Sequence, residues 1–183
     1  AKQTIGEASA PPIRTVKLGS GDAAFTIGGE TCLFRHEKRF EHPTGIAVQV
    51  STGEDPAEID TRLKRFNALE IERVGVMMRA NLIAVRDADG NGAAFTELAK
   101  KVVDEAPRAS LIFMSTSVEN MKAAAAVCGD RKPLLYAADE GNWQQMGGLA
   151  VEMGCPLAVK GRNLDDLVEL SGRLVEAGHK DLV

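Results

Sequence analysis

The chain has 183 residues, of which 44% are hydrophobic and 26% charged, and this length is enough for one globular core. A net charge of −4 argues against a nucleic-acid-binding surface, which needs a clustered excess of Lys and Arg. No apolar run approaches the roughly 18 residues of a membrane-spanning helix, and the N-terminal segment has no apolar signal core. We therefore expect a cytoplasmic protein that binds neither nucleic acid nor membrane.

The first 44 residues contain short polar and strand-like segments. Residues 1–14 are small and polar and run through Ala10-Pro11-Pro12, which is typical of a linker. Strand candidates follow at 15–18, 24–27 and 31–34, separated by glycine-containing turns. The pattern predicts a β-hairpin or a small meander over residues 15–44.

From residue 45 onward, apolar strands alternate with amphipathic helices. Because the strands are almost entirely apolar, we expect both of their faces to be covered. The last four strand centres lie 22 to 25 residues apart, which suits the βα units of either a (β/α)8 barrel or a doubly wound sheet. The strands are predicted at 46–50, 81–85, 110–114, 133–137 and 156–159, with the start of a sixth at 181–183.

A complete (β/α)8 barrel needs about 250 residues. Residues 45–183 therefore predict an α/β fold that is a partial TIM barrel of about five and a half βα units. An open sheet is the alternative. Since the chain stops three residues into a strand, we expect it to be a fragment of a longer barrel.

The helices have recognisable starts and apolar stripes. Asp55 and Pro56 predict the start of the first helix, and Thr116 with Glu119 predicts a capping box for the third. The expected buried residues of the first and the last two helices are Ile59, Leu63 and Phe66; Trp143, Met146, Gly147, Ala150 and Val151; and Leu164, Leu167, Val168, Leu174 and Val175.

The segment TIGGETCLFRHEKRFEHPTG, residues 26–45, concentrates groups that bind metals. It holds Cys32, His36, Glu37, Glu41 and His42, but their spacing fits no tight metal-binding pattern. Its glycines suit hairpin turns and precede no helix, so a phosphate-binding loop is not expected. We expect a charged segment leading into the first barrel strand. The three cysteines are far apart in sequence, and we expect them to be buried thiols.

The carboxyl ends of the predicted strands are the place to look for a site, because barrel active sites lie there. Helix capping is an alternative explanation for Thr116, Asp139 and Asn142. No His and no nucleophile–base pair occurs among these residues, so we expect a polar interface rather than a catalytic centre. The candidate residues are Arg86, Asp87, Thr116, Asp139, Asn142, Lys160 and Arg162.

Three segments of the chain resemble one known family. The runs TIGGETCLFRHEKRFEHPTGIAVQV, DRKPLLYAADEGNW and LVEAGHKDLV are similar to the large (gamma) subunits of corrinoid iron–sulfur proteins. These proteins belong to the carbon monoxide dehydrogenase/acetyl-CoA synthase system of the reductive acetyl-CoA (Wood–Ljungdahl) pathway of one-carbon metabolism and carbon fixation. The resemblance extends over essentially the whole chain.

The resemblance implies a domain organisation. Family members have an N-terminal [4Fe–4S] domain, a central TIM barrel and a C-terminal corrinoid (cobalamin) domain. Residues 1–14 then correspond to the linker after the [4Fe–4S] domain, 15–44 to the hairpin segment and 45–183 to part of the barrel. The corrinoid cobalt and the cluster are expected on domains outside this sequence, with no cofactor bound within residues 1–183.

The resemblance also implies a function. The family carries a methyl group, accepted from methyltetrahydrofolate or a related pterin through a separate methyltransferase and delivered to acetyl-CoA synthase. This region is expected to be a scaffold, not catalytic alone, which contacts the small subunit, the methyltransferase and carbon monoxide dehydrogenase/acetyl-CoA synthase. The alternative is a pterin-binding barrel that itself binds methyltetrahydrofolate at Asp87, Asp139 and Asn142.

Overall fold

The computed structural model describes residues 14–29, 42 and 44–183. The predicted strand at 31–34 and four of the five metal-binding candidates of residues 26–45, all but His42, lie outside this range. The described elements, in chain order, are β1 (Val16–Leu18), β2 (Phe25–Ile27), β3 (Ala47–Ser51), α1 (Pro56–Ala68), β4 (Glu70–Arg73), β5 (Val76–Arg79), β6 (Leu82–Arg86), α2 (Gly92–Glu105), β7 (Ser110–Met114), α3 (Val118–Val127), β8 (Leu134–Ala138), α4 (Trp143–Met153), β9 (Leu157–Val159) and α5 (Leu164–Glu176).

Five parallel strands form the central sheet in the order β3-β6-β7-β8-β9, so strands that follow one another through a helix are neighbours. A doubly wound sheet reverses its strand order, whereas a barrel does not. Beyond β9, Leu182 forms a parallel bridge to Leu157, as expected for the sixth strand. The fold is therefore α/β and TIM-barrel-like, with five βα units and the start of another, which confirms the predicted partial barrel.

The larger apolar core lies between the sheet and its helices. Alternate strand residues, such as Ile83, Leu111 and Leu135, point to this side and are fully buried. Phe113 on β7 meets Phe95 on α2 edge to face, with ring centroids 5.6 Å apart. Aromatic pairs favour this geometry, so it adds to the burial energy of both rings.

The opposite face of the sheet, which is the inner face of a barrel, is covered at one end by the β1–β2 hairpin. Leu18 and Phe25 of the hairpin are buried against Leu82 on β6 and Leu134 on β8. The Ser110 hydroxyl donates a hydrogen bond to the Ala23 carbonyl, and the Gly19 N–H donates to the Lys132 carbonyl over 3.2 Å. The hairpin thus closes the amino ends of the strands and leaves their carboxyl ends open.

Most helix starts agree with the sequence. Asp55 accepts a hydrogen bond from the Ala57 N–H, and Pro56 begins α1 as predicted. The start of α3 differs, because Ser117 caps the helix by accepting from the Asn120 N–H over 3.2 Å. The predicted Thr116–Glu119 capping box is therefore wrong by one residue, and Thr116 is exposed.

The burial pattern of α4 and α5 differs from the prediction at several positions. Val151 is exposed on α4, and Leu164, Val168 and Val175 are exposed on α5. The residues of α5 that face the core are Leu170 and Leu174. A helix in a barrel has two apolar sides, one against the sheet and one against its neighbours, and apolar spacing alone does not separate them.

The segment between α1 and β6 was not predicted to contain strands. It forms an antiparallel hairpin, β4–β5, whose eight strand residues are all exposed. None of the helices that the structure describes is both long enough and apolar enough to cross a membrane.

Candidate functional site

The carboxyl ends of β6, β7, β8 and β9 surround an open cleft of about 480 Å³. This volume falls within the usual size of small-molecule sites, about 300–1,000 Å³. Six of the seven predicted site residues line it, and the seventh, Arg162, lines an adjoining cleft that shares Asp139 and Lys160. The lining residues of the first cleft are Arg86, Asp87, Met114, Ser115, Thr116, Tyr136, Ala137, Asp139, Asn142 and Lys160.

Asp87 joins the loop after β6 to the loop after β7 and to α3 at the rim of the cleft. One carboxylate oxygen accepts from the Gly90 N–H over 2.9 Å. The other accepts from the Ser115 hydroxyl over 2.7 Å and from the Asn120 side-chain amide over 2.8 Å. A carboxylate with this many donors is held in one position, and few of its lone pairs remain for a ligand. Asp87 therefore acts mainly as a tie between the ends of β6 and β7.

Asp139 and Asn142 hold the loop after β8. The Asn142 side chain accepts from the Asp139 backbone N–H over 2.8 Å and donates to the Ala137 carbonyl over 3.3 Å. The Asp139 carboxylate accepts from the Gly141 N–H over 2.9 Å and remains exposed. Because Asn142 makes no side-chain cap to α4, its predicted capping role is replaced by this loop contact.

Arg162 bridges two elements at the edge of the adjoining cleft. Its guanidinium donates to Asp166 on α5 over 2.7 Å and pairs with Glu140 over 2.7 Å. The hydrogen bond from Arg162 lowers the pKa of Asp166, and the same bond, together with the charges of Asp166 and Glu140, raises the pKa of Arg162. All three side chains are solvent-accessible, so water screens the pairing, and its role is to position the loops.

Arg86 and Lys160 differ from the other candidates because their charges have no ion-pair partner among the described residues. Arg86 is the last residue of β6, and Lys160 comes directly after β9, so both lie at the carboxyl ends of their strands. The cleft is therefore cationic at two points, while the Asp87 carboxylate is occupied by three hydrogen bonds.

Tyr136 was missed at the sequence level. It sits within the run Leu134–Ala138, in which every residue is apolar or aromatic, and such a run does not reveal which side chains point inward. The pairing of β8 with β9 shifts register between Leu135 and Ala138. Tyr136 points inward with Leu134 by ordinary alternation and pairs in register with Met114. At the irregularity Ala137 also reaches the cleft, and Tyr136 stays 40% exposed. Irregular strand pairing of this kind often redirects side chains beside functional sites.

The described cysteines do not fit an iron–sulfur cluster. Cys128 and Cys155 are buried, and burial raises their pKa values to about 12 and about 11. Cluster ligands are thiolates, and burial disfavours the thiolate form. Within residues 14–29, 42 and 44–183, no group of three His, Cys, Asp or Glu side chains is placed to bind a metal ion. His and Cys are also missing from the residues that line the cleft.

Comparison with known proteins identifies the family. A family model described as "CO dehydrogenase/acetyl-CoA synthase delta subunit" matches residues 15–183. The chain belongs to this family. The family result agrees with the resemblance to corrinoid iron–sulfur subunits drawn from the sequence.

Curated relatives of this family member carry related names. The chain is 43% identical over 183 residues to the corrinoid/iron-sulfur protein large subunit of Moorella thermoacetica, covering 100% of this chain and 41% of the relative. It is 36% identical to the acetyl-CoA decarbonylase/synthase complex subunit gamma of Archaeoglobus fulgidus, covering 97% and 37%. The corresponding subunit of Methanothermobacter thermautotrophicus is 32% identical, with 100% and 40% covered. The chain thus spans about two fifths of the length of these relatives.

Proposed function

We propose that this chain is the barrel part of a corrinoid iron–sulfur methyl carrier and that it serves as a scaffold and subunit-contact domain. The carrier accepts methyl from methyltetrahydrofolate, or a related pterin, through a separate methyltransferase and delivers it to acetyl-CoA synthase. The corrinoid supplies the methyl-carrying chemistry and the [4Fe–4S] cluster the electron transfer, both on other domains. In this proposal residues 1–14 are the linker from the cluster domain, 15–44 the hairpin segment and 45–183 the barrel.

The scaffold role is supported by the contacts of the polar side chains at the cleft, which bind loops and helices of the chain itself. Asp87 ties the loops after β6 and β7 together, Asn142 closes the loop after β8, and Arg162 joins that loop to α5. Catalysis of methyl transfer by this chain would need a free acid, base or nucleophile near the substrate. Asp87, Asn142 and Arg162 are instead committed to holding the rim in shape. A rigid rim suits a surface against which mobile domains dock.

A second candidate function is supported by the cleft itself. Its volume and its exposed Asp139 carboxylate and Tyr136 ring suit a flat heterocycle such as a pterin. In this alternative, the barrel binds methyltetrahydrofolate at Asp87, Asp139 and Asn142. The hydrogen bonds that occupy Asp87 and Asn142 argue against it, since those groups would have to exchange loop contacts for ligand contacts.

Calorimetric titration of the full-length subunit with methyltetrahydrofolate separates the two functions. The scaffold proposal predicts no saturable heat at micromolar ligand, because Asp87 and Asn142 are already hydrogen-bonded to groups of the surrounding loops. The Asp139→Ala variant should behave identically. Saturable binding that weakens at least tenfold in Asp139→Ala, equivalent to about 1.4 kcal/mol, would instead establish a pterin-binding barrel.

A further inference from the structure

The β4–β5 hairpin exposes apolar side chains that nothing in the described structure covers. Its register places Ile71 opposite Met78 and Arg73 opposite Val76, so these four side chains share one face. Ile71, Val76 and Met78 are 57%, 63% and 48% exposed. A two-stranded hairpin is marginally stable alone, and a contiguous exposed apolar patch marks an interaction surface.

The hairpin is anchored at its base and extended at its tip. Arg108 donates to Glu70 over 2.9 Å and to the Asn67 carbonyl over 3.2 Å, which fixes the first strand to the barrel. At the tip, Val74 and Gly75 both have positive φ angles, 52° and 75°. A β-branched residue is disfavoured in this conformation, yet Val74 occupies it with 96% of its surface exposed. An apolar tip in an unfavourable conformation suggests that contact with a partner compensates for it.

Hydrogen-bonded and non-hydrogen-bonded residue pairs alternate along the hairpin, and this determines which backbone groups point outward on each edge. A two-residue turn with both φ angles positive makes Arg73 and Val76 the hydrogen-bonded closing pair. Pairs alternate in an antiparallel ladder, so the next pair, Glu72 with Met77, is not hydrogen-bonded within the hairpin. The backbone N–H and C=O groups of Glu72 and Met77 therefore point outward, one residue on each edge.

Charge distinguishes these edges. The outward-pointing residues of β4 are Glu70 and Glu72, and antiparallel pairing of two such edges would place carboxylates opposite each other. Charged residues on an edge strand are a common protection against pairing. The outward-pointing residues of β5 are Met77 and Arg79. Antiparallel pairing of two β5 edges with Met77 opposite Met77 places Arg79 opposite Gly75, so no like charges meet. The β5 edge is thus the one left open.

We propose that the β5 edge pairs with the equivalent strand of a homologous barrel in the partner subunit, so that the two hairpins form one continuous sheet. The proposal rests on the proposed function and adds the surface through which the subunits meet. The family result indicates which protein would pair with the β5 edge. The matching family model is described for a delta subunit, whereas the relatives of this chain are named gamma and large subunits. The same domain thus occurs in two kinds of subunit, and each is expected to carry this hairpin.

Two proline substitutions test the edge with matched controls. Met77→Pro removes the outward N–H of the β5 edge, whereas Glu72→Pro removes the outward N–H of the β4 edge, and neither removes a hydrogen bond within the hairpin. Each is introduced into the full-length subunit, which is produced together with its delta-type partner subunit. The complex is measured by size-exclusion chromatography with light scattering, and folding of each variant by its melting temperature.

We expect Met77→Pro to weaken the complex at least tenfold and Glu72→Pro to leave it within about twofold of the unsubstituted protein, which is about 0.4 kcal/mol. Equal melting temperatures of the two variants show that the loss is not one of folding. A Met77→Pro complex of unchanged affinity would overturn this surface while leaving the proposed function intact. The alternative is that the subunit associates with itself. If Met77→Pro abolished that self-association and left the complex of the two different subunits unaffected, the choice of partner would be overturned. Failure of the unsubstituted subunits to associate would overturn the proposed function itself.

Discussion

Replacing Asp87 with Ala is expected to destabilise the chain by about 2–4 kcal/mol, because three donors at the cleft rim lose their acceptor together. The partly buried Ser115 and Asn120 side chains would have to find water or remain unpaired. The measurement is urea unfolding followed by the fluorescence of Trp143, the single Trp of this sequence. Its signal reports on α4, of which Trp143 is the first residue.

Asp139→Ala is the matched control for this substitution. It also removes a carboxylate from the rim, but it costs one exposed hydrogen bond, from the Gly141 N–H. We expect a change of at most about 1 kcal/mol. If Asp87→Ala were no more destabilising than Asp139→Ala, Asp87 would not be the tie that its contacts indicate, and its carboxylate would be available for a ligand.

Replacing Phe25 with Ala is expected to cost about 3–5 kcal/mol, the usual range for a buried Phe. Phe25 is 7% exposed and packs against Leu82 on the inner face of the sheet. Gly45 lies so close that an added Cβ would come within 2.8 Å of the Phe25 ring. The ring therefore packs closely against the backbone of Gly45.

The exposed Lys17 on the partner strand of the same hairpin provides the control for Phe25→Ala. Lys17→Ala keeps the β1–β2 pairing and should change the free energy of unfolding by no more than about 0.5 kcal/mol. A small effect of Phe25→Ala, comparable to that of Lys17→Ala, would show that the hairpin contributes little to the stability of the barrel. A large effect would show that it is an integral part of the core.

The sequence was sufficient to predict the barrel because the positions of the helix starts agree with the regular spacing of the strands. Apolar strands recur at nearly constant spacing, and Asp55 caps α1 where the sequence predicts it. The candidate site residues lie at one end of the sheet, because parallel strands share their carboxyl edge. Whether these residues bind a ligand stays a prediction.

The features that were missed depend on tertiary contacts. The β4–β5 hairpin has no strong turn sequence, because Val-Gly stands where Asn-Gly or Asp-Gly usually signals this turn. Tyr136 lies in a run of apolar and aromatic residues in which the sequence does not distinguish inward from outward side chains. Which residues of α5 are buried depends on the elements that pack against it. Because α5 has apolar residues on two sides, the sequence does not show that Leu170 is buried and Val168 exposed.

The scaffold role is tested most directly by the rate of methyl transfer from methyltetrahydrofolate, through the separate methyltransferase, to the assembled carrier. Arg86 and Lys160 are the residues to replace, because their charges face the cleft without an ion-pair partner in the described part of the chain, and their loss should leave folding unchanged. If the barrel is a scaffold, we expect the double variant Arg86→Ala/Lys160→Ala to keep a rate within about twofold of the unsubstituted carrier. A folded, fully assembled double variant whose rate falls by about 10²-fold or more would contradict it, since a loss of that size indicates groups that stabilise the reacting substrate.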